Sequence, residues 1–129
     1  MLAVHLLRHH CSISVIDTVL AAGLPKKRLQ QVIDYIQDNL DQDLSLAELA
    51  NVVQLSSHHF GKLFKQTMGV SPYQYVMKCR IEQAKHLLAD NERSIVNVSQ
   101  LLGFHDQSHF TNVFRRYTTL TPRQYRQRL

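Results

Sequence analysis

The sequence predicts an all-α chain, and three observations carry that prediction. Apolar residues recur at helical spacing, no stretch alternates with the period of two that marks a strand, and one block of sequence returns about 50 residues later. Leu29, Val32, Ile33, Ile36 and Leu40 make the first apolar stripe. Leu46, Leu49, Ala50 and Val53 make a second, and Phe60, Leu63, Phe64 and Met68 a third. Tyr73, Met77, Ile81, Ala84 and Leu88 mark a longer helix. Two further stripes follow, Ile95, Val98, Ser99, Leu102 and then Phe110, Val113, Phe114, Tyr117.

Start signals fall where the stripes begin. Ser45 with Glu48 has the spacing of a capping box, in which each side chain satisfies a backbone N–H that the helix leaves orphaned. Ser71-Pro72 and Thr121-Pro122 place a hydroxyl at the N-cap and proline at the first helical position, where its missing N–H costs nothing. Asp106 is placed to cap the helix carrying Phe110, with its charge at the positive end of the helix dipole.

Composition narrows the classes of function. The 129 residues hold 15 Lys+Arg against 10 Asp+Glu, a net charge of +5 that suits a polyanionic partner without requiring one. Five acids and no Lys or Arg lie between Asp34 and Glu48, whereas five arginines and no acid lie from Arg115 to Leu129. No apolar run reaches the roughly 18 residues of a membrane span, and Met1–Arg8 is too short and interrupted for a signal peptide. Cys11 and Cys79 lie far apart with no C-x-x-C spacing, which argues against a disulfide framework or a cysteine zinc site.

The repeat is specific. Phe60-x3-Phe64-Lys65-x5-Ser71-Pro72-x2-Tyr75 returns 50 residues on as Phe110-x3-Phe114-Arg115-x5-Thr121-Pro122-x2-Tyr125. Upstream, Leu46-x2-Leu49-Ala50-x2-Val53-x-Leu55 returns 49 residues on as Ile95-x2-Val98-Ser99-x2-Leu102-x-Phe104. The second copy therefore holds one extra residue, around His105. Each copy has helix-turn-helix spacing: a first helix ending in small Ala50 or Ser99, a turn residue four positions later, and a second helix. The turn residue is Gly103 in the second copy, suited to φ > 0, but Gln54 in the first, which predicts a strained or altered turn there. The expected architecture is two helix-turn-helix subdomains, at about 45–68 and 94–118, joined by a linker helix at about 72–89.

Several blocks occur in a telling order: Leu46-x-Glu48-Leu49-Ala50, Phe64-Lys65, Gly69-x-Ser71-Pro72-x2-Tyr75, Arg80-x3-Ala84-x2-Leu87-Leu88, Gly103-Phe104-x-Asp106-x-Ser108-x-Phe110-x3-Phe114-Arg115 and Thr121-Pro122-x2-Tyr125-Arg126. Together, from about Leu29 to Arg128, they resemble the C-terminal DNA-binding domain of AraC/XylS-type bacterial transcription regulators. The sequence departs from that pattern at Gln54, at His59 and His109 where an aromatic is common, and at Thr119 where glycine is frequent.

The resemblance implies that the second helix of each unit, about Ser57–Met68 and about Gln107–Thr118, reads double-stranded DNA in the major groove. With Phe60, Leu63 and Phe64 turned inward, the candidates for reading base edges are His58, Lys62, Gln107, Ser108, Thr111 and Asn112. Lys62 suits guanine O6/N7 and Asn112 adenine N6/N7, while Gly61 permits close backbone approach. The candidates for phosphate contact are Ser57, Lys65, Arg115 and Arg116. Arg80 is expected to be structural, with Asp106 one possible partner. The linker helix, at ~1.5 Å per residue, has a length compatible with two major-groove segments about 34 Å apart.

Other readings weigh less. Eight histidines include the i, i+4 pairs His5/His9 and His105/His109, yet no metal motif or acidic third ligand accompanies them, and neither metal nor other cofactor is expected. No nucleophile–base order, phosphate loop or paired carboxylates point to an enzyme. The alternative is a helical protein-interaction module that contacts RNA polymerase without reading sequence itself; in the family, polymerase contact accompanies DNA binding. Residues 1–25 fall outside the repeat and read as a leader helix and linker, the tail of an upstream effector or dimerisation domain, with a short single-domain regulator as the other possibility. Either way the expected location is the bacterial cytoplasm, at the nucleoid.

Overall fold

A computed structural model describes residues 23–129. The leader helix expected over residues 1–25, apart from Gly23–Pro25, lies outside the described residues, as do the His5/His9 pair and Cys11. Among the described residues there are seven helices and no strand: α1 Lys26–Asp38, α2 Leu46–Val52, α3 Ser57–Met68, α4 Pro72–Leu88, α5 Ile95–Leu101, α6 Gln107–Thr118 and α7 Pro122–Gln127. They divide into two units, the first comprising the described residues up to Asn39 with Leu44–Tyr75, the second Leu40–Asp43 with Val76–Leu129.

In the first unit α1 buries Leu29, Val32, Ile33 and Ile36, and α2 buries Leu49 and Ala50. The repeated aromatics form the centre. Phe60 stacks on Phe64 at 5.6 Å between ring centroids, and Phe64 meets Tyr75 edge-on at 5.7 Å. The second unit repeats this ladder with Phe110 and Phe114 at 5.7 Å and Phe114 and Tyr125 at 5.5 Å. Tilted and edge-on pairs at these separations add about 0.5–1.5 kcal/mol each beyond area burial. The repeated Phe-x3-Phe and the later Tyr are thus one packing device used twice.

Helix starts repeat as well. Ser45 and Ser94 accept from the backbone N–H groups of Glu48 and Asn97, and Ser56 and Asp106 accept from those of His59 and His109. Ser71 with Gln74 and Thr121 with Gln124 each exchange two hydrogen bonds reciprocally. The Ser45 box is only half formed, because the Glu48 carboxylate accepts instead from the Tyr35 hydroxyl. The extra residue of the second copy is His105: the turn residues Gln54 and Gly103 are 49 apart, whereas the caps Ser56 and Asp106 are 50 apart.

Three expectations need correction. The first helices do not end at Ala50 and Ser99 but run two residues further, to Val52 and Leu101, leaving both small residues buried inside the last turns. Leu46, Tyr73 and Tyr117 share helical spacing with core residues yet are 43%, 60% and 42% exposed. Each sits within the first or last two positions of its helix, where a stripe runs past the surface it packs on. Arg80, 5% exposed, donates from Nε to the Leu40 carbonyl at 3.1 Å and from Nη2 to that of Gln42 at 2.6 Å, while Asp106 caps α6.

That arginine has a counterpart. Arg126 donates from Nε to the Leu88 carbonyl at 2.9 Å and from Nη2 to that of Asp90 at 3.2 Å. Both arginines bridge a carbonyl and the one two residues on, just past a helix end, where orphaned acceptors need donors. Arg28 gives the Val53 carbonyl the same service at 2.8 Å.

Candidate nucleic-acid interface

The geometry of the second helix of each unit follows from its turn. Gln54 and Gly103 hold φ 58° and 75°, so the chain reverses sharply between the two helices of each unit. In the second unit only glycine fits: a Cβ on Gly103 would lie 2.9 Å from Arg80 Nη2 and 3.1 Å from the Leu40 carbonyl oxygen. In the first unit Gln54 adopts the same region with its side chain exposed, which is the strain its sequence anticipates.

These second helices, α3 and α6, bury one face and show the other. In α3 Phe60, Phe64 and Thr67 are buried, and in α6 Phe110, Val113 and Phe114. Of the candidate residues, His58, Lys62 and Lys65 on α3 and Gln107, Ser108, Asn112, Arg115 and Arg116 on α6 are exposed. Ser57 and Thr111 are half-buried. Asn112, Arg115 and Arg116 line one open depression together with Thr119, a residue that sequence spacing alone did not bring into the set.

Electrostatics sharpen the picture. Neither α3 nor α6 contains Asp or Glu, although the chain holds ten. Some cations elsewhere are engaged: Lys85 pairs with Glu82 at 3.1 Å, Arg93 with Asp90 at 3.6 Å, and Arg28, Arg80 and Arg126 bind carbonyls. Among the described residues Lys62, Lys65, Arg115 and Arg116 form no ion pair with an acid, which leaves them for an external anion. Arg126 belongs to the basic end of the sequence but is committed to the α4 terminus.

The two faces differ in one detail. The position of Thr111 in α6 is Gly61 in α3, and a Cβ there would lie 3.9 and 4.0 Å from the two terminal methyls of Leu46. The His109 ring packs edge-on against Phe104 at 5.3 Å. Among the described residues no three His, Cys, Asp or Glu side chains converge as a metal site would require, and no helix is long and apolar enough to cross a membrane.

Two helix-turn-helix units, each presenting an acid-free face on its second helix, define a double helix-turn-helix domain of the DNA-binding class. Residues 49–128 match the family described as "Helix-turn-helix domain". The chain is 40% identical over 101 residues to the probable transcriptional regulator LumQ of Photobacterium leiognathi, an alignment covering 77% of this chain and 41% of LumQ. It is similar to a crystal structure of an AraC-type DNA-binding-domain regulator from Chromobacterium violaceum, with 29% identity, a TM-score of 0.74, and 80% and 92% of the two chains covered. It is likewise similar to the DNA-binding domain of the global transcriptional factor AdpA in complex with a target DNA, with 26% identity, a TM-score of 0.74, and coverage of 78% and 91%. The chain belongs to the AraC/XylS-type helix-turn-helix family, whose members are DNA-binding regulators and not enzymes. It spans about two-fifths of the length of the first curated relatives it matches.

Proposed function

We propose that this chain is the sequence-reading part of a transcription regulator, binding two adjacent major-groove segments of double-stranded DNA with α3 and α6. The observation that carries this reading is the acid-free, exposed face on the second helix of each repeated unit, which carries Lys62, Lys65, Arg115 and Arg116, none of them paired with an acid among the described residues. His58 and Lys62 on α3, and Gln107, Ser108, Thr111 and Asn112 on α6, meet base edges; Ser57, Lys65, Arg115 and Arg116 hold phosphates. The interface works at the nucleoid in the bacterial cytoplasm. The relatives' greater length supports an effector or dimerisation domain elsewhere in the whole regulator, joined at about residue 26 to the DNA-binding part. Contact with RNA polymerase accompanies DNA binding.

Selection of bound sequences from random duplex DNA, followed by titration of the enriched duplex across salt concentrations, tests the proposal. A bipartite motif should emerge, with log affinity falling against log salt at a slope of about −3 for the three phosphate-neutralising cations Lys65, Arg115 and Arg116. Failure to enrich any sequence would favour a polymerase-contacting module without readout of its own.

A further inference from the structure

We infer that Leu46, the first residue of α2, reads the 5-methyl group of a thymine through the gap that Gly61 leaves on α3; the inference rests on α3 being a reading helix. Four observations point to it. Leu46 is apolar yet 43% exposed. Its methyls lie 3.9 and 4.0 Å from the place a Cβ of Gly61 would occupy, so no side chain of α3 covers them from that position. Gly61 immediately precedes Lys62 and lies one turn beyond His58, so the gap opens beside both base-reading candidates. In the second unit Thr111 stands at the Gly61 position and Ile95 at that of Leu46, so a side chain occurs where the first unit has none.

The chemistry of the groove supplies the ligand. Only thymine presents an apolar group on its major-groove edge, and an apolar side chain is its natural contact. Glycine in a helix interior costs stability relative to alanine, and close approach of another group is one reason to retain it. Burying a single methyl group is worth about a fourfold change in affinity. The first unit would thus combine a polar contact from Lys62 with an apolar one supplied by the neighbouring helix. The second unit reads with side chains of α6.

The test uses a duplex selected from random DNA by this chain, in which each thymine of the first unit's element is replaced singly by deoxyuridine, removing only the methyl. For the unchanged chain one replacement should weaken binding about fourfold, and for Leu46→Ala the same replacement should have no effect. Gly61→Thr, whose Cβ meets only ordinary contact with Leu46 and which improves helix propensity, should abolish the same sensitivity by covering Leu46. If no thymine position distinguishes the chain from both variants while Lys62→Ala still alters base preference, the Leu46 inference fails and the reading role of α3 stands. Should Lys62→Ala also leave base preference unchanged, α3 reads nothing and both fall together.

Discussion

Thr119→Gly should stabilise the protein, although glycine generally weakens a chain by enlarging its unfolded ensemble. Thr119 ends α6 at φ 66° and ψ 0°, with its N–H donating to the Arg115 carbonyl at 2.8 Å. A left-handed conformation costs an ordinary L-residue about 1–2 kcal/mol, with a β-branched one toward the upper end. Glycine escapes that cost but gives back about 0.5–1 kcal/mol of conformational entropy. The backbone hydrogen bond survives the change, and the side chain is exposed. The net gain is about 1 kcal/mol, or a rise in melting temperature of about 3–5 °C for a domain of this size. Gln54→Gly at φ 58° should gain somewhat less, because its side chain is unbranched. The two sites lie in different units, so their gains should add. Thermal unfolding followed by far-ultraviolet circular dichroism measures both. A neutral or lower melting temperature for Thr119→Gly would refute the strain argument.

The remaining predictions use the same geometry. Gly69→Ala meets no atom within 4 Å and should lose only its positive-φ allowance, about 1 kcal/mol, whereas Gly103→Ala should lose more than about 2 kcal/mol by also displacing Arg80; equal losses in urea unfolding would contradict the close packing. Lys62→Ala should relax preference at one or two base pairs and cost about 1–3 kcal/mol on the best duplex; a uniform loss over all sequences would remove Lys62 from the base readers. Arg115→Ala should weaken every duplex alike and reduce the salt slope by about one, and a sequence-selective loss would count against its phosphate role. The Tyr35 hydroxyl is held above the usual tyrosine pKa of 10.0, first by its hydrogen bond to the Glu48 carboxylate, then by desolvation and by that carboxylate's charge. The folded state therefore keeps a proton that the unfolded state releases, so stability is intact below pH 10 and falls as pH rises beyond it. Tyr35→Phe should lower stability across the neutral range, where the hydrogen bond to Glu48 is lost, and flatten that alkaline fall; an unaltered fall in urea unfolding would show that Tyr35 does not cause it.

The sequence alone determined the helices, their order and the duplication, because those rest on local spacing: Phe60-x3-Phe64 and Phe110-x3-Phe114 mark buried faces whatever surrounds them. The turn at Gln54 was legible as a departure from Gly103 of the other copy, and Thr119 as a departure from the family's glycine, whereas their left-handed conformation is seen only in the structure. The exposed faces of α3 and α6 followed by subtraction once the buried faces were known. Tertiary structure decided what depends on partners far along the chain. Arg126 looks like any surface arginine, and only the family resemblance sets Arg80 apart, until the carbonyls of Leu40 and Leu88, brought from about 40 residues away, lie within reach. Glu48 was placed in a capping box by its spacing, but Tyr35 approaches from α1 and takes its carboxylate. Leu46 belonged to a core stripe by period, yet α2 begins at that residue and its side chain reaches the edge of the core beside Gly61. Periodicity records which face of a helix is apolar, while where that face ends, and which charges remain for a ligand, depends on the neighbouring elements that cover it.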